Sequence, residues 1–147
     1  MWRHVRPICC GAAALLALTF LAGCVHSGPT WVDSGASYAL ADLSQLYSKA
    51  DISRYENSPA AHSGTLRHDA LTALRSKGDA PASAADLITR NLPADTRGVP
   101  VYVEKATVND APAYIIIEAT GPANGNLTTK RMWVLSDKGA VVFVGTR

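Results

Sequence analysis

The sequence predicts an α+β domain in which about three short helices precede a four-stranded antiparallel β-meander and pack on one face of the sheet. Between Tyr38 and Leu92, apolar residues recur at spacings of three and four, which is typical of amphipathic helices. After Gly98, apolar and polar residues alternate, which is typical of half-buried strands. Because the helices come first and the strands follow, we expect two separate layers.

Three stretches carry the helical pattern. The first covers residues 38–49 and has one apolar stripe, made of Leu40, Leu43, Leu46 and Tyr47. The second begins near Thr65 and ends at Gly78, because glycine readily adopts the left-handed conformation that follows many helices. The third begins at the capping sequence Ser83-Ala84-Ala85-Asp86 and ends before Pro93.

Four stretches carry the strand pattern, at residues 99–104, 113–120, 130–135 and 141–144. The sequence Asn109-Asp110-Ala111-Pro112 predicts a turn between the first two, and Asp137-Lys138-Gly139 predicts a turn between the last two. Short connections join strands that run antiparallel. Whether Met132 and Val134 or Trp133 and Leu135 face the core is left open by this pattern.

The N-terminal segment has the order of features found in a secretory signal. Arg3 and Arg6 precede an apolar run of about ten residues, which ends in Leu21-Ala22-Gly23-Cys24. This ending resembles the lipobox of bacterial lipoproteins. The resemblance implies that the Cys24 thiol receives a diacylglycerol, that a signal peptidase cuts between Gly23 and Cys24, and that acyl chains such as palmitate anchor the mature protein to a membrane.

Two alternatives to lipidation stay open. Counted generously from Ile8 to Val25, the apolar stretch has 18 residues, close to the length of a spanning helix, so it could be an uncleaved anchor. Cys24 could also be a small buried side chain. Under the lipoprotein interpretation, residues 1–23 are a removed signal peptide, 24–36 a flexible lipid-anchored tether and 37–147 a single α+β domain. The protein then resides in the bacterial cell envelope and faces the periplasm or the exterior.

Charge and cysteine content restrict the partners. The chain has 14 Lys and Arg against 12 Asp and Glu, and removal of Arg3 and Arg6 with the signal leaves equal numbers. A neutral domain lacks the basic surface that nucleic-acid binding requires, so we expect no nucleic-acid partner. With Cys9 and Cys10 removed and Cys24 lipidated, the mature chain has no cysteine pair for an internal disulfide.

The sequence indicates no catalytic site, metal site or cofactor. His26, His62 and His68 lack the spacing that places two ligands on one helical face. The sequence contains neither G-x-S-x-G nor H-E-x-x-H, and its glycines do not form a phosphate-binding loop between a strand and a helix.

The sheet face opposite the helices is the candidate contact surface. If the first strand turns its valines toward the helices, strict alternation puts seven other residues on the opposite face: Tyr102, Glu104, Tyr114, Ile116, Glu118, Arg131 and Trp133. Aromatic residues and arginine often anchor interfaces, so Tyr102, Tyr114, Trp133 and Arg131 are candidate contacts for an envelope protein. The alternative is that these residues stabilise cross-strand pairs on a solvated face.

The sequence therefore predicts a lipid-anchored envelope protein with a non-catalytic binding or adaptor domain. An envelope enzyme with a site built from scattered polar residues is one alternative. A small-molecule carrier with a pocket between helices and sheet is the other.

Overall fold

The computed structural model describes residues 28–94 and 97–147 and has an α+β fold, as predicted. Within these two ranges, five strands form one sheet in the order β1-β2-β3-β4-β5. They are β1 Thr30–Tyr38, β2 Val99–Val108, β3 Ala111–Thr120, β4 Thr129–Ser136 and β5 Val141–Thr146. β1 is parallel to β2, and every other neighbouring pair is antiparallel. The sheet is therefore mixed, and the prediction of four antiparallel strands is one strand short.

The additional strand, β1, lies largely in the segment that the sequence assigns to a flexible tether. From Thr30 onward that prediction is wrong, because the backbone pairs with β2 and Trp31 lies opposite Val103. The register of this pairing shifts between Asp33 and Ser37, where Gly35 has a φ of +61°. The glycine-rich composition that suggests a linker thus forms an irregular edge strand. The signal segment, Gly23 and Cys24 lie outside the described residues.

Helical segments occupy the region where the sequence predicts helices. The first is a 3₁₀ helix, Leu40–Lys49, which buries Leu43, Leu46 and Tyr47. Short 3₁₀ turns follow at Ser53–Tyr55 and Ala60–His62. The two longer helices are α1, Ser63–Arg75, and α2, Asp79–Asn91. No helix in residues 28–94 or 97–147 has the length and apolar character needed to cross a membrane.

The start of α2 differs from the prediction. The helix begins at Asp79, so the predicted capping sequence at Ser83 lies inside it. Gly78 precedes the helix with a φ of +126°. Pro81 is tolerated because it lies in the first turn, where a backbone N–H has no partner within the helix.

Helices cover both faces of the sheet rather than one. The 3₁₀ helix Leu40–Lys49 packs on the face that carries Ile115 and Ile117. The face that carries Val103 and Ile116 packs against α1 and α2. We call the first the 3₁₀ face and the second the α face. Met132 and Val134 lie on the 3₁₀ face and are each 0% exposed. Leu135 and Trp133 lie on the α face, where Leu135 is 0% exposed and Trp133 is partly exposed.

The predicted turns are present. Asn109 and Asp110 have φ values of +46° and +62° and form a two-residue loop, after which Ala111 already pairs with Val108. Positive φ at both loop residues is the geometry that matches the twist of a β-hairpin. Gly139, with a φ of +88°, lies in the turn between β4 and β5.

Candidate functional site

The four predicted contact residues do not share one face. Tyr102 lies opposite Ile117 on the 3₁₀ face and is 3% exposed. Tyr114, Trp133 and Arg131 are partly exposed and lie on the α face. The prediction fails at Tyr102 because β2 has one extra residue between Pro100 and Tyr102, which reverses the alternation beyond that point.

Glu118, predicted to lie on the sheet face opposite the helices, is fully buried on the α face. One carboxylate oxygen accepts a hydrogen bond from Arg67 Nη1 at 2.6 Å. The other accepts bonds from Arg131 Nε and Nη2 at 3.2 and 2.9 Å and from Trp133 Nε1 at 2.8 Å. Arg67 Nη1 also donates to the Gly98 carbonyl at 3.2 Å, and a Cβ on Gly98 would collide with the Glu118 carboxylate. This cluster ties α1 to β3 and β4.

Glu104 is the second fully buried carboxylate, and it lies on the 3₁₀ face. It accepts hydrogen bonds from Ser34 Oγ at 2.5 Å, Tyr102 Oη at 2.6 Å and Tyr38 Oη at 2.9 Å. Lys49 Nζ lies 3.7 Å away. Burial by itself raises the pKa of the Glu104 carboxyl, but these donors together outweigh it and hold the pKa below its ordinary value. Burial and the bond to Glu104 raise the pKa of Tyr102.

Both carboxylate clusters are enclosed and fully hydrogen-bonded. Throughout the described part of the chain, every buried side-chain nitrogen or oxygen has a hydrogen-bond partner. Both carboxylates are 0% exposed, so a substrate would have to displace side chains to reach them. Residues 28–94 and 97–147 contain no group of three His, Cys, Asp or Glu that could hold a metal ion.

The space between the helices and the sheet is filled by side chains. On the 3₁₀ face, Leu46 and Ile115 are 0% exposed, and on the α face Leu74 and Ile116 are equally buried. The cavities open at the surface instead. One of about 450 Å³ lies at the start of β1, and another of about 250 Å³ lies beside Tyr114. A third, of about 370 Å³, is lined by Tyr47 of the 3₁₀ helix and Lys130 of β4.

The edge strand β5 is apolar and exposed. Val141, Val142 and Val144 are 48%, 53% and 51% exposed, and they are the exposed large apolar side chains of the described ranges. From Val141 to Thr146 the strand has no charged residue. Natural edge strands usually carry charges, prolines or covering segments, because an uncovered edge pairs readily with other chains.

Backbone pairing shows which groups of β5 point outward. Arg147 exchanges two hydrogen bonds with Lys130, at 2.9 and 2.8 Å, so its N–H and C=O point toward β4. In an antiparallel pair successive residues alternate in direction. The N–H and C=O groups of Thr146 and Val144 therefore point away from the sheet and are available to another strand.

The exposed valines continue the predicted contact surface. Val144 lies opposite Trp133, and the Arg131 guanidinium lies 5.1 Å from the centre of the Trp133 ring. Val141 lies opposite Leu135, on the same face. Arg131 and Trp133 of β4 and Val141 and Val144 of β5 therefore lie together on the α face. The sequence pattern identified Arg131 and Trp133 as candidate contacts. The valines could have been found from the absence of charged residues in β5.

Comparison of the chain with known protein families, curated proteins and solved structures finds no match to any of them.

Proposed function

We propose that this protein is a lipid-anchored component of the bacterial cell envelope that binds a protein partner along β5 and does not catalyse a reaction. The uncharged, exposed edge of β5 is the observation that carries the binding function. The anchor is inferred from Leu21-Ala22-Gly23-Cys24, which resembles a lipobox. The two buried carboxylate clusters and the filled interior favour binding over the enzyme and carrier alternatives.

The partner adds an extended segment to the sheet. The outward N–H and C=O groups of Val144 and Thr146 supply main-chain hydrogen bonds to such a segment, and the valines supply apolar contacts. Trp133 and Arg131 adjoin the strand on the α face and provide the aromatic and guanidinium groups that often dominate binding energy.

The first described strand, β1, and the proposed binding strand, β5, lie at opposite edges of the sheet. Gly28 follows Cys24 by four residues, a span of about 14 Å when fully extended. The chain therefore enters at β1, whereas β5 is at the other edge. Four strand spacings separate these edges, or about 19 Å. A lipid on Cys24 thus leaves β5 accessible to other envelope proteins.

The anchor is tested by Cys24→Ala, which removes the thiol that would receive the diacylglycerol. We expect loss of metabolic lipid labelling and accumulation of the uncleaved precursor. Cys9→Ala is the matched control, since Cys9 lies in the segment to be removed, and it should leave labelling and cleavage unchanged. Unchanged labelling and cleavage in Cys24→Ala would overturn the lipoprotein proposal.

The binding edge is tested by Val144→Lys, which places a charge on the outer strand without removing a core contact. Val144 is 51% exposed, so the melting temperature should change little. Recovery of the partner after crosslinking in intact cells should fall about tenfold or more. Ser37→Lys places the same charge on an exposed position of the opposite edge strand and serves as control. Equal recovery with both variants would contradict binding along β5.

A further inference from the structure

A basic cavity lies at the start of β1, on the side where the chain enters the domain. We propose that this cavity binds the phosphate group of an anionic membrane lipid, so that the domain is held against the headgroups as well as tethered. The inference adds a second membrane contact to the proposed function and rests on it, because the lipid anchor is what brings the cavity to the bilayer.

Three cationic side chains converge on the cavity from separate elements. Its volume is about 450 Å³, and its lining includes Lys49 from the 3₁₀ helix, Arg54 from the following turn and Lys77 from the turn between α1 and α2. Asp51 is also part of the lining, and Glu104 lies behind Lys49 at 3.7 Å. Three cationic side chains against the carboxylates of Asp51 and Glu104 leave the cavity with a net positive charge.

The two lysines are positioned by the fold and retain hydrogen-bonding capacity. Lys77 Nζ donates to the Pro29 carbonyl at 2.6 Å, and Lys49 Nζ donates to Tyr38 Oη at 3.2 Å. An ammonium has three donors, so both can still bond to a phosphate oxygen. The bond to Tyr38 raises the pKa of Lys49, which keeps this ammonium charged.

The chain entry is fixed close to the same cavity. A Cβ on Gly28 would collide with Ala73 of α1, so the backbone runs directly against that helix. Gly28, Thr30 and Trp31 all line the cavity. Since Gly28 is four residues from Cys24, the cavity lies within about 14 Å of the anchored residue. Basic groups at that distance feel the negative potential of an anionic leaflet, and tryptophan is common at this depth.

A cavity of about 370 Å³ lined by Lys130 and Arg147 is also cationic, but these residues lie on β4 and just after β5, on the other side of the sheet from β1. The cavity beside Tyr114 has a different charge pattern. The cavity beside Tyr114 is lined by Asp33 and Asp137 as well as Lys105, and Lys105 already pairs with Asp33 at 3.4 Å. Its net negative lining does not suit a phosphate. The cavity at the start of β1 is therefore the better phosphate site, because it combines cationic side chains with proximity to the residues that follow Cys24.

The test uses lipidated protein purified from membranes and reconstituted into nanodiscs of phosphatidylcholine, with or without phosphatidylglycerol. A neutral amine-acetylating reagent is applied, and mass spectrometry measures acetylation at each lysine. We expect acetylation of Lys49 and Lys77 to fall about fivefold when phosphatidylglycerol is present. Lys138, which is exposed in the turn before β5, is the internal control and should be acetylated equally in both discs.

Variants and added ligand separate the explanations. Arg54→Gln should weaken the protection of both lysines, whereas Arg90→Gln, an exposed arginine on α2, should leave it intact. Equal acetylation of Lys49 and Lys77 in both kinds of disc would overturn the inference. Full protection by soluble glycerol phosphate in phosphatidylcholine discs would also overturn it, in favour of a soluble ligand. Failure of the protein to remain on the discs would instead overturn the lipid anchor.

Discussion

Replacing Glu118 by glutamine removes the negative charge that holds Arg67 and Arg131 together beneath α1. The carboxylate is 0% exposed, and the Arg67 side chain is 8% exposed. Glutamine has nearly the same shape but turns one acceptor oxygen into an NH₂ donor. That donor would face either Arg67 or the pair formed by Arg131 and Trp133, all of which are donors themselves.

The size of the stability loss depends on how well water can solvate the two arginines once the Glu118 charge is gone. Removing one partner of a buried ion pair costs about 3–5 kcal/mol. The Arg131 side chain is 16% exposed, so water can partly solvate it, whereas Arg67 is nearly enclosed. We therefore expect a loss of about 3 kcal/mol in the free energy of unfolding, near the lower end of that range. For a domain of this size, the melting temperature should fall by about 10 °C.

Urea unfolding followed by circular dichroism measures this loss, and Glu56→Gln is the control. Glu56 is exposed and should cost less than about 0.5 kcal/mol. Combining Glu118→Gln with Arg67→Met should cost less than the sum of the single changes, by about 1 kcal/mol or more. If Glu118→Gln costs no more than Glu56→Gln, the cluster does not stabilise the fold and our reasoning is refuted.

Three further predictions concern stability. Because the pKa of Glu104 is below its ordinary value in the folded state, the free energy of unfolding should be constant above about pH 5 and decline as pH falls through the folded pKa. Urea unfolding at a series of pH values should show this decline, and Glu104→Gln should make the pH dependence weaker. Asp110→Gly should raise stability by about 0.5–1 kcal/mol in thermal unfolding because glycine adopts positive φ readily, and a decrease would contradict the hairpin geometry. Leu46→Ala should cost about 3 kcal/mol in urea unfolding, while exposed Gln45→Ala should cost under about 0.5 kcal/mol; equal losses would contradict burial of the 3₁₀ helix.

Sequence reasoning succeeded where local chemistry determines the structure. The hairpin around Asn109 and Asp110 depends on residues that tolerate positive φ, and the alternation on either side of it identifies β2 and β3. The helix α1 could be placed because its apolar spacing is regular. Each of these signals lies within a few residues of the element that it predicts.

The strand β1 could not be predicted because its pairing is distant in sequence. Its partner β2 begins at Val99, while β1 begins at Thr30. The glycine and serine content of the segment favours a linker when read locally. Backbone hydrogen bonds to β2 and the packing of Trp31 determine the outcome, and neither is visible in the segment itself.

The candidate site was only half predicted for a related reason. One extra residue in β2 moved Tyr102 and Glu104 into the core on the 3₁₀ face, and no local signal announces that bulge. Glu118 is buried because Arg67, 51 positions away in sequence, reaches it from α1. Trp133 and Arg131 remained partly exposed and adjoin the valines of β5, so this part of the predicted surface retains its interpretation as a contact region.

Site-specific photocrosslinking in intact cells is the most direct test of partner binding along β5. A photoreactive phenylalanine analogue is introduced at Val144 on β5 and, in a separate variant, at Ser37 on the opposite edge. We expect the probe at position 144 to form a discrete crosslinked product with one envelope protein, and the probe at position 37 to form none with that protein. The same product from both positions, or no product from position 144, would contradict binding along β5.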